Sequence, residues 1–74
     1  MSDSFEAVPI RDESIRLGQF LKLANLLDSG AEAKEMIAGG RVIVNGKPEL
    51  RRGHQLRPGD VVEIGGMVAR VAQA

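Results

Sequence analysis

The chain has 74 residues, ten Lys and Arg against ten Asp and Glu, and no cysteine. That length holds one small domain, near the size at which a single core supplies only a few kcal/mol of net stability. It excludes a second domain, a disulfide framework and a thiolate zinc site, and leaves aliphatic packing to stabilise the fold.

A formal net charge of zero argues by itself against a general nucleic-acid binder. The charge is unevenly spread, however. In residues 1–13, Asp3, Glu6, Asp12 and Glu13 outweigh Arg11, whereas in 41–57, Arg41, Lys47, Arg51, Arg52 and Arg57 face only Glu49. No apolar run is long enough to span a bilayer, and the start MSDSFEAV lacks the basic and apolar parts of a secretory signal. A cytoplasmic location, a monomer and no membrane partner are expected.

In chain order, Met1 to Ser4 reads as a mobile start. Phe5, Ala7, Val8 and Ile10 suit a short extended segment that Pro9, lacking an N–H, confines to a sheet edge. Asp12 or Ser14 is placed to cap a first helix whose core face is Leu17, Phe20, Leu21, Ala24 and Leu27. Gly18 is costly inside a helix and suggests close contact with another backbone. Leu23 and Leu26 lie off this stripe, where they widen the buried face or meet another protein.

Asn25 to Ser29 links to a second helix. There Ser29 caps, and Glu32 is spaced to reach back to the Ser29 N–H in a capping box. Ala33, Met36 and Ile37 share a face, and Gly39-Gly40 stops the helix. Val42, Ile43 and Val44 then make a strand before Asn45-Gly46, the strongest two-residue hairpin signal. Asn45 is assigned to that turn first. Within ELRRGHQLRPGD, Leu50 and Leu56 are expected to point inward, and Pro58-Gly59 fits a type II turn. Val61, Val62 and Ile64 form a strand, Gly65-Gly66 a hairpin, and Met67 to Ala72 a last strand. The result is an α+β domain, with two adjacent helices packed on a small twisted, mainly antiparallel sheet. The acidic segment 1–13 precedes a single domain over 14–74.

SGAEAK, an apolar pair, a glycine and then VxVNG resemble the S4 RNA-binding domain of a small-subunit ribosomal protein, pseudouridine synthases and a tyrosyl-tRNA synthetase. IRLGQFLKLANLL before it and ELRRGHQLRPGDVVEI after it extend the resemblance over roughly residues 15–64. The whole resembles the short stand-alone YbcJ-like members. It implies the same two-helix, small-sheet architecture (the alpha-L motif) and binding to RNA, ribosomal or transfer RNA foremost, with a ribosomal or ribonucleoprotein partner. Many S4 domains carry a basic residue directly after the helix-two serine. This chain has Gly30 there, so that phosphate contact is not implied.

The resemblance puts both helices and the following loop at the RNA-facing side, and the cations there are Lys22, Lys34, Arg51 and Arg52. Arg16, Arg41, Lys47, His54 and Arg57 form a second tier. Taken singly, Arg16, Lys22 and Lys34 read as solvated helix surface; their value lies in convergence with the loop. Gly30 leaves the first turn of helix two open to a phosphate, although capping by Ser29 explains the same residues. With only two aromatics, stacking on splayed bases is poorly supported and recognition of helical or folded RNA by shape is expected.

His54 is the single histidine, with no partners for a metal set and no nucleophile beside it, so neither an enzyme nor a cofactor is expected. Two other classes remain. One is a protein-interaction module using Leu23, Leu26 and the acidic segment. The other is a β-grasp sulfur carrier, suggested by VNGKPE and PGDVVEIGG; there a free terminal glycine carboxylate is needed, whereas MVARVAQA follows Gly66.

Overall fold

A computed structural model of the chain describes residues 5–74; the reading of Met1 to Ser4 lies outside them. The elements in order are β1 (Phe5–Ile10), β2 (Ile15–Arg16), α1 (Leu17–Leu23), α2 (Gly30–Ala38), β3 (Val42–Val44), β4 (Lys47–Pro48), β5 (Gln55–Leu56), β6 (Val61–Ile64) and β7 (Met67–Gln73). Five strands form one sheet in the order β1-β7-β6-β3-β4, and β2 pairs with β5 in a separate two-stranded ladder.

The alternation of the strands sends Val42, Val62 and Val71 inward against Leu17, Phe20 and Leu21 of α1 and Ile37 of α2, all fully buried. Both aliphatic helix faces therefore close on one face of the sheet, the α+β arrangement expected from the sequence. All pairings are antiparallel except one. β1 lies at the edge, as Pro9 requires, but runs parallel to β7 from Phe5 opposite Val68 to Ile10 opposite Gln73.

The turns follow from residue type. Asn45 (φ 51°) and Gly46 (φ 86°) are both left-handed, as are Gly65 (φ 57°) and Gly66 (φ 84°), which gives two tight hairpins of the same kind. Gly65-Gly66 is thus the bend between β6 and β7, and the residues after it are folded into the sheet. Asn45 is structural as read. Its backbone N–H donates to the Val61 carbonyl at 2.8 Å, its Oδ1 accepts from the Val61 N–H at 2.9 Å, and its Nδ2 donates to Asp60 Oδ1 at 3.1 Å.

Each helix ends on a left-handed residue. In α1 this is Asn25 (φ 59°), with the Asn25 N–H on the Lys22 carbonyl and the Leu26 N–H on the Leu21 carbonyl. In α2 it is Gly40 (φ 74°), with the corresponding bonds from Gly40 to Ile37 and from Arg41 to Met36. This early stop corrects the reading of one helical stripe to Leu27. Ala24 and Leu27 are buried, but they lie beyond α1, and Leu26 packs against the core where this helix end places an apolar residue.

Three other local expectations change. Neither Asp12 nor Ser14 caps α1, because the turn before β5 does so: the Leu17 N–H donates to the His54 carbonyl at 2.8 Å and the Gly18 N–H to the Arg52 carbonyl at 3.1 Å. Ser14 Oγ instead donates to Gln55 Oε1 at 2.9 Å. At α2, Ser29 Oγ accepts from the Glu32 N–H at 3.1 Å as expected, but Glu32 Oε1 accepts from the Asp28 N–H at 3.3 Å, one residue before the capping-box position. Leu56 is buried, whereas Leu50 is 61% exposed, lying over Gly40 at the end of α2.

Candidate nucleic-acid interface

The capping of α1 by the 52–54 backbone builds the site. β2 pairs Arg16 with Gln55, so Arg16 sits at the start of α1 beside the turn that carries Arg52. Gly18 permits the approach: a Cβ there would stand 2.9 Å from Arg52 Cγ. The close contact read for Gly18 is thus present, with the Arg52 carbonyl and side chain as the neighbours. One turn on, Lys22 closes α1, and the short link returns Gly30 and Ala33 of α2 to the same place.

These segments enclose an open concavity lined by Arg16, Gly18, Gln19, Lys22, Gly30, Ala33, Arg52 and Gly53. Arg16 and Lys22 at the two ends of α1 and the sequence-remote Arg52 therefore face one hollow, and Gly30 leaves it open, with nothing within 4 Å of where its Cβ would be. Among the described residues, Arg16, Lys22, Lys34 and Arg52 make no ion pair. Arg and Lys carry donors and no acceptors, so the hollow presents positive charge and hydrogen-bond donors. Lys34 does not line it but follows Ala33 on exposed α2 surface.

The cations of 41–57 are not all brought to this hollow. Glu49, the single acid of that stretch, accepts from the Arg51 N–H at 3.1 Å and from Arg51 Nε at 3.2 Å, and lies 3.3 Å from His54 Nδ1. Arg51 and His54 are turned to this carboxylate and do not line the concavity. The Arg51 backbone N–H above all, then the Arg51 side chain and His54, hold the Glu49 carboxyl below the usual glutamate range against a smaller opposing effect of burial.

Arg41 lies past the far end of α2, a nine-residue helix and so about 13 Å long. Lys47 is on edge strand β4. Arg57 opens the Arg57–Asp60 turn, where its N–H donates to Asp60 Oδ2 at 2.8 Å. Sequence reading passed over Gln19, although its position midway between Arg16 and Lys22 at helical spacing marks it as a neighbour of both.

A family model described as the S4 domain matches residues 8–72. The chain belongs to the S4 domain family. The "Probable ribosome maturation protein RlbA" of Bacillus subtilis is 51% identical over 59 residues, 80% of this chain and 83% of that protein. The "Small ribosomal subunit protein uS4m" of Schizosaccharomyces pombe is 41% identical over 49 residues, which are 66% of this chain but 15% of that protein. Among solved structures, the 30S ribosomal protein S4e of Thermoplasma acidophilum aligns with a TM-score of 0.62 and 31% identity over 81% of this chain and 32% of its own. This S4 chain has no group of three or more His, Asp or Glu able to hold a metal among its described residues. No helix among them is long and apolar enough to cross a membrane.

Proposed function

We propose that this S4 chain is a non-catalytic RNA-binding protein of the cytoplasm that grips structured ribosomal RNA, acting on or within an assembling ribosomal particle. The observation that carries the reading is the convergence of Arg16, Lys22 and Arg52 on one hollow, free of carboxylate partners, at the open start of α2. Similarity to a probable ribosome maturation protein and to a small ribosomal subunit protein favours ribosomal RNA as the ligand.

Contacts are to phosphates, which fix position and carry little sequence information. Lys34 extends the surface along α2, Arg51, Arg41, Lys47 and Arg57 contribute only long-range charge, and His54 lies outside the hollow. A non-catalytic role agrees with the serines described. Ser14 is engaged with Gln55 and Ser29 with the helix start, so neither stands beside a base.

Sequencing the RNA that co-purifies with the protein from its own cell tests this, with Lys22→Glu and Arg52→Glu combined as control. Ribosomal RNA enriched with the native chain and lost with the double variant is the expected result. Equal RNA recovery from both overturns the assignment of the surface.

A further inference from the structure

The helices cover one face of the five-stranded sheet. On the opposite face, alternation along the strands and the pairing between them set Ile43, Val61, Val68 and Ala72, together with Glu63 and Arg70. The four apolar residues are half-buried, yet none belongs to the core or is among the residues packed against it. An antiparallel sheet with one face in water alternates apolar inside with polar outside. Strand β3, VIV, is apolar on both faces, which is the pattern of a strand covered on both.

We propose that a second copy of this chain covers that face. The register makes its pattern self-complementary. Val61 stands opposite Arg70 and Glu63 opposite Val68, so the four form a square where β6 meets β7, with the valines on one diagonal and the charges on the other. Turning a copy half a turn about the valine diagonal lays its Arg70 over Glu63 of the first and its Glu63 over Arg70, while each valine meets its own counterpart. The contact is then isologous, two opposite-charge pairs about an apolar centre, and the strands of the two sheets cross steeply, as in orthogonal sheet packing. Ile43 on β3 and Ala72 on β7 flank the square and extend the apolar contact. The face is small beside the ~800 Å² per subunit of a standard interface, since five strands about 4.8 Å apart span only about 19 Å. The dimer is therefore weak and forms at high concentration. The cationic hollow is built on the helices and stays open in it, so the dimer carries two such hollows on its outer sides.

Sedimentation velocity of the full chain from about 10 μM to about 1 mM tests this, and the native chain should pass from monomer to dimer across that range. Glu63→Arg or Arg70→Glu alone sets like charges face to face and should weaken association about tenfold. The two combined restore opposite pairs and should return it to within about threefold of native. Circular dichroism checks that each variant is folded. With no variant at all, intermolecular NOEs in a mixture of isotope-labelled and unlabelled chains should join Val61 to Val61 and Val68 to Val68 of the second copy. A native chain that stays monomeric at the upper concentration, a folded double variant that fails to recover, or copies that meet through Leu23 or Leu50 instead overturns the proposal. A monomer that loses its hold on ribosomal particles with Glu63→Arg gives the face to a foreign protein and overturns it too.

Discussion

Two clusters of cations lie within a few residues of each other and behave as opposites. Along α1, Arg16 before its first residue, Lys22 in its last turn and Arg52 beside Gly18 face an open hollow whose lining includes no acid. In the adjoining turn, Arg51 and His54 close on Glu49, whose side chain is only 16% exposed. Arg51 and Arg52 are consecutive, yet one, 77% exposed, rests its Nε on a carboxylate and the other lines the hollow. The difference lies in the backbone: Arg52 gives its carbonyl to Gly18, which fixes it against α1, while the Arg51 N–H is taken by Glu49. Local charge density is therefore a poor guide to which cations are available.

This contrast can be broken most directly by alanine substitution. Lys22→Ala or Arg52→Ala should each weaken binding to a structured RNA roughly tenfold and flatten the log–log salt dependence by about 0.7–0.9, one phosphate's share. Arg51→Ala should cost less than about twofold with the slope unchanged, as read by fluorescence anisotropy over a salt series. A tenfold loss with Arg51→Ala would erase the distinction between the clusters.

Adding charge to the open cluster sharpens it. Gly30→Arg places a cation where the structure has free space and no left-handed backbone, so affinity should rise about fivefold while thermal stability is kept or slightly raised. Gly18→Ala tests the positioning of Arg52 instead. Its Cβ would displace the Arg52 side chain at Cγ, and an affinity loss of about threefold with native circular dichroism is expected.

The smallest effect belongs to the closed cluster. A carboxyl with a lowered pKa contributes stability that is fully present above its unfolded value and fades as pH falls through the folded one. The Arg51 amide resonance should accordingly follow Glu49 with a midpoint below that of an unstructured glutamate. Glu49→Gln should abolish that titration and raise RNA affinity about twofold by releasing Arg51.

What the sequence disclosed was local, and what it withheld was remote pairing. Ser29, Asn45-Gly46, Pro58-Gly59 and Gly65-Gly66 act within a few residues, so residue type alone dictates the backbone there. The stripe through Leu17, Phe20 and Leu21 was equally plain. The stop at Asn25 was masked because Ala24 and Leu27 keep apolar spacing beyond the helix. The β2–β5 ladder and the parallel course of β1 depend on residues about forty and sixty positions apart, and no short-range signal encodes them. For the site, Lys22 and Arg52 were visible as cations, but the placement of Arg52 beside Gly18 and the pairing of Arg51 with Glu49 are contacts that only the folded chain reveals.

The parallel edge has a consequence for handling the protein. β7 is the longest strand, MVARVAQ, uncharged but for Arg70 and without proline. β1 shields its outer side, and Pro9 interrupts the row of amide donors that β1 itself turns outward. A version shortened past Ile10 would expose β7 as a bare template for intermolecular sheet growth and would lose Val8 and Ile10 from the core. The strand Phe5–Ile10 thus guards solubility, a duty separate from anything the cationic hollow holds.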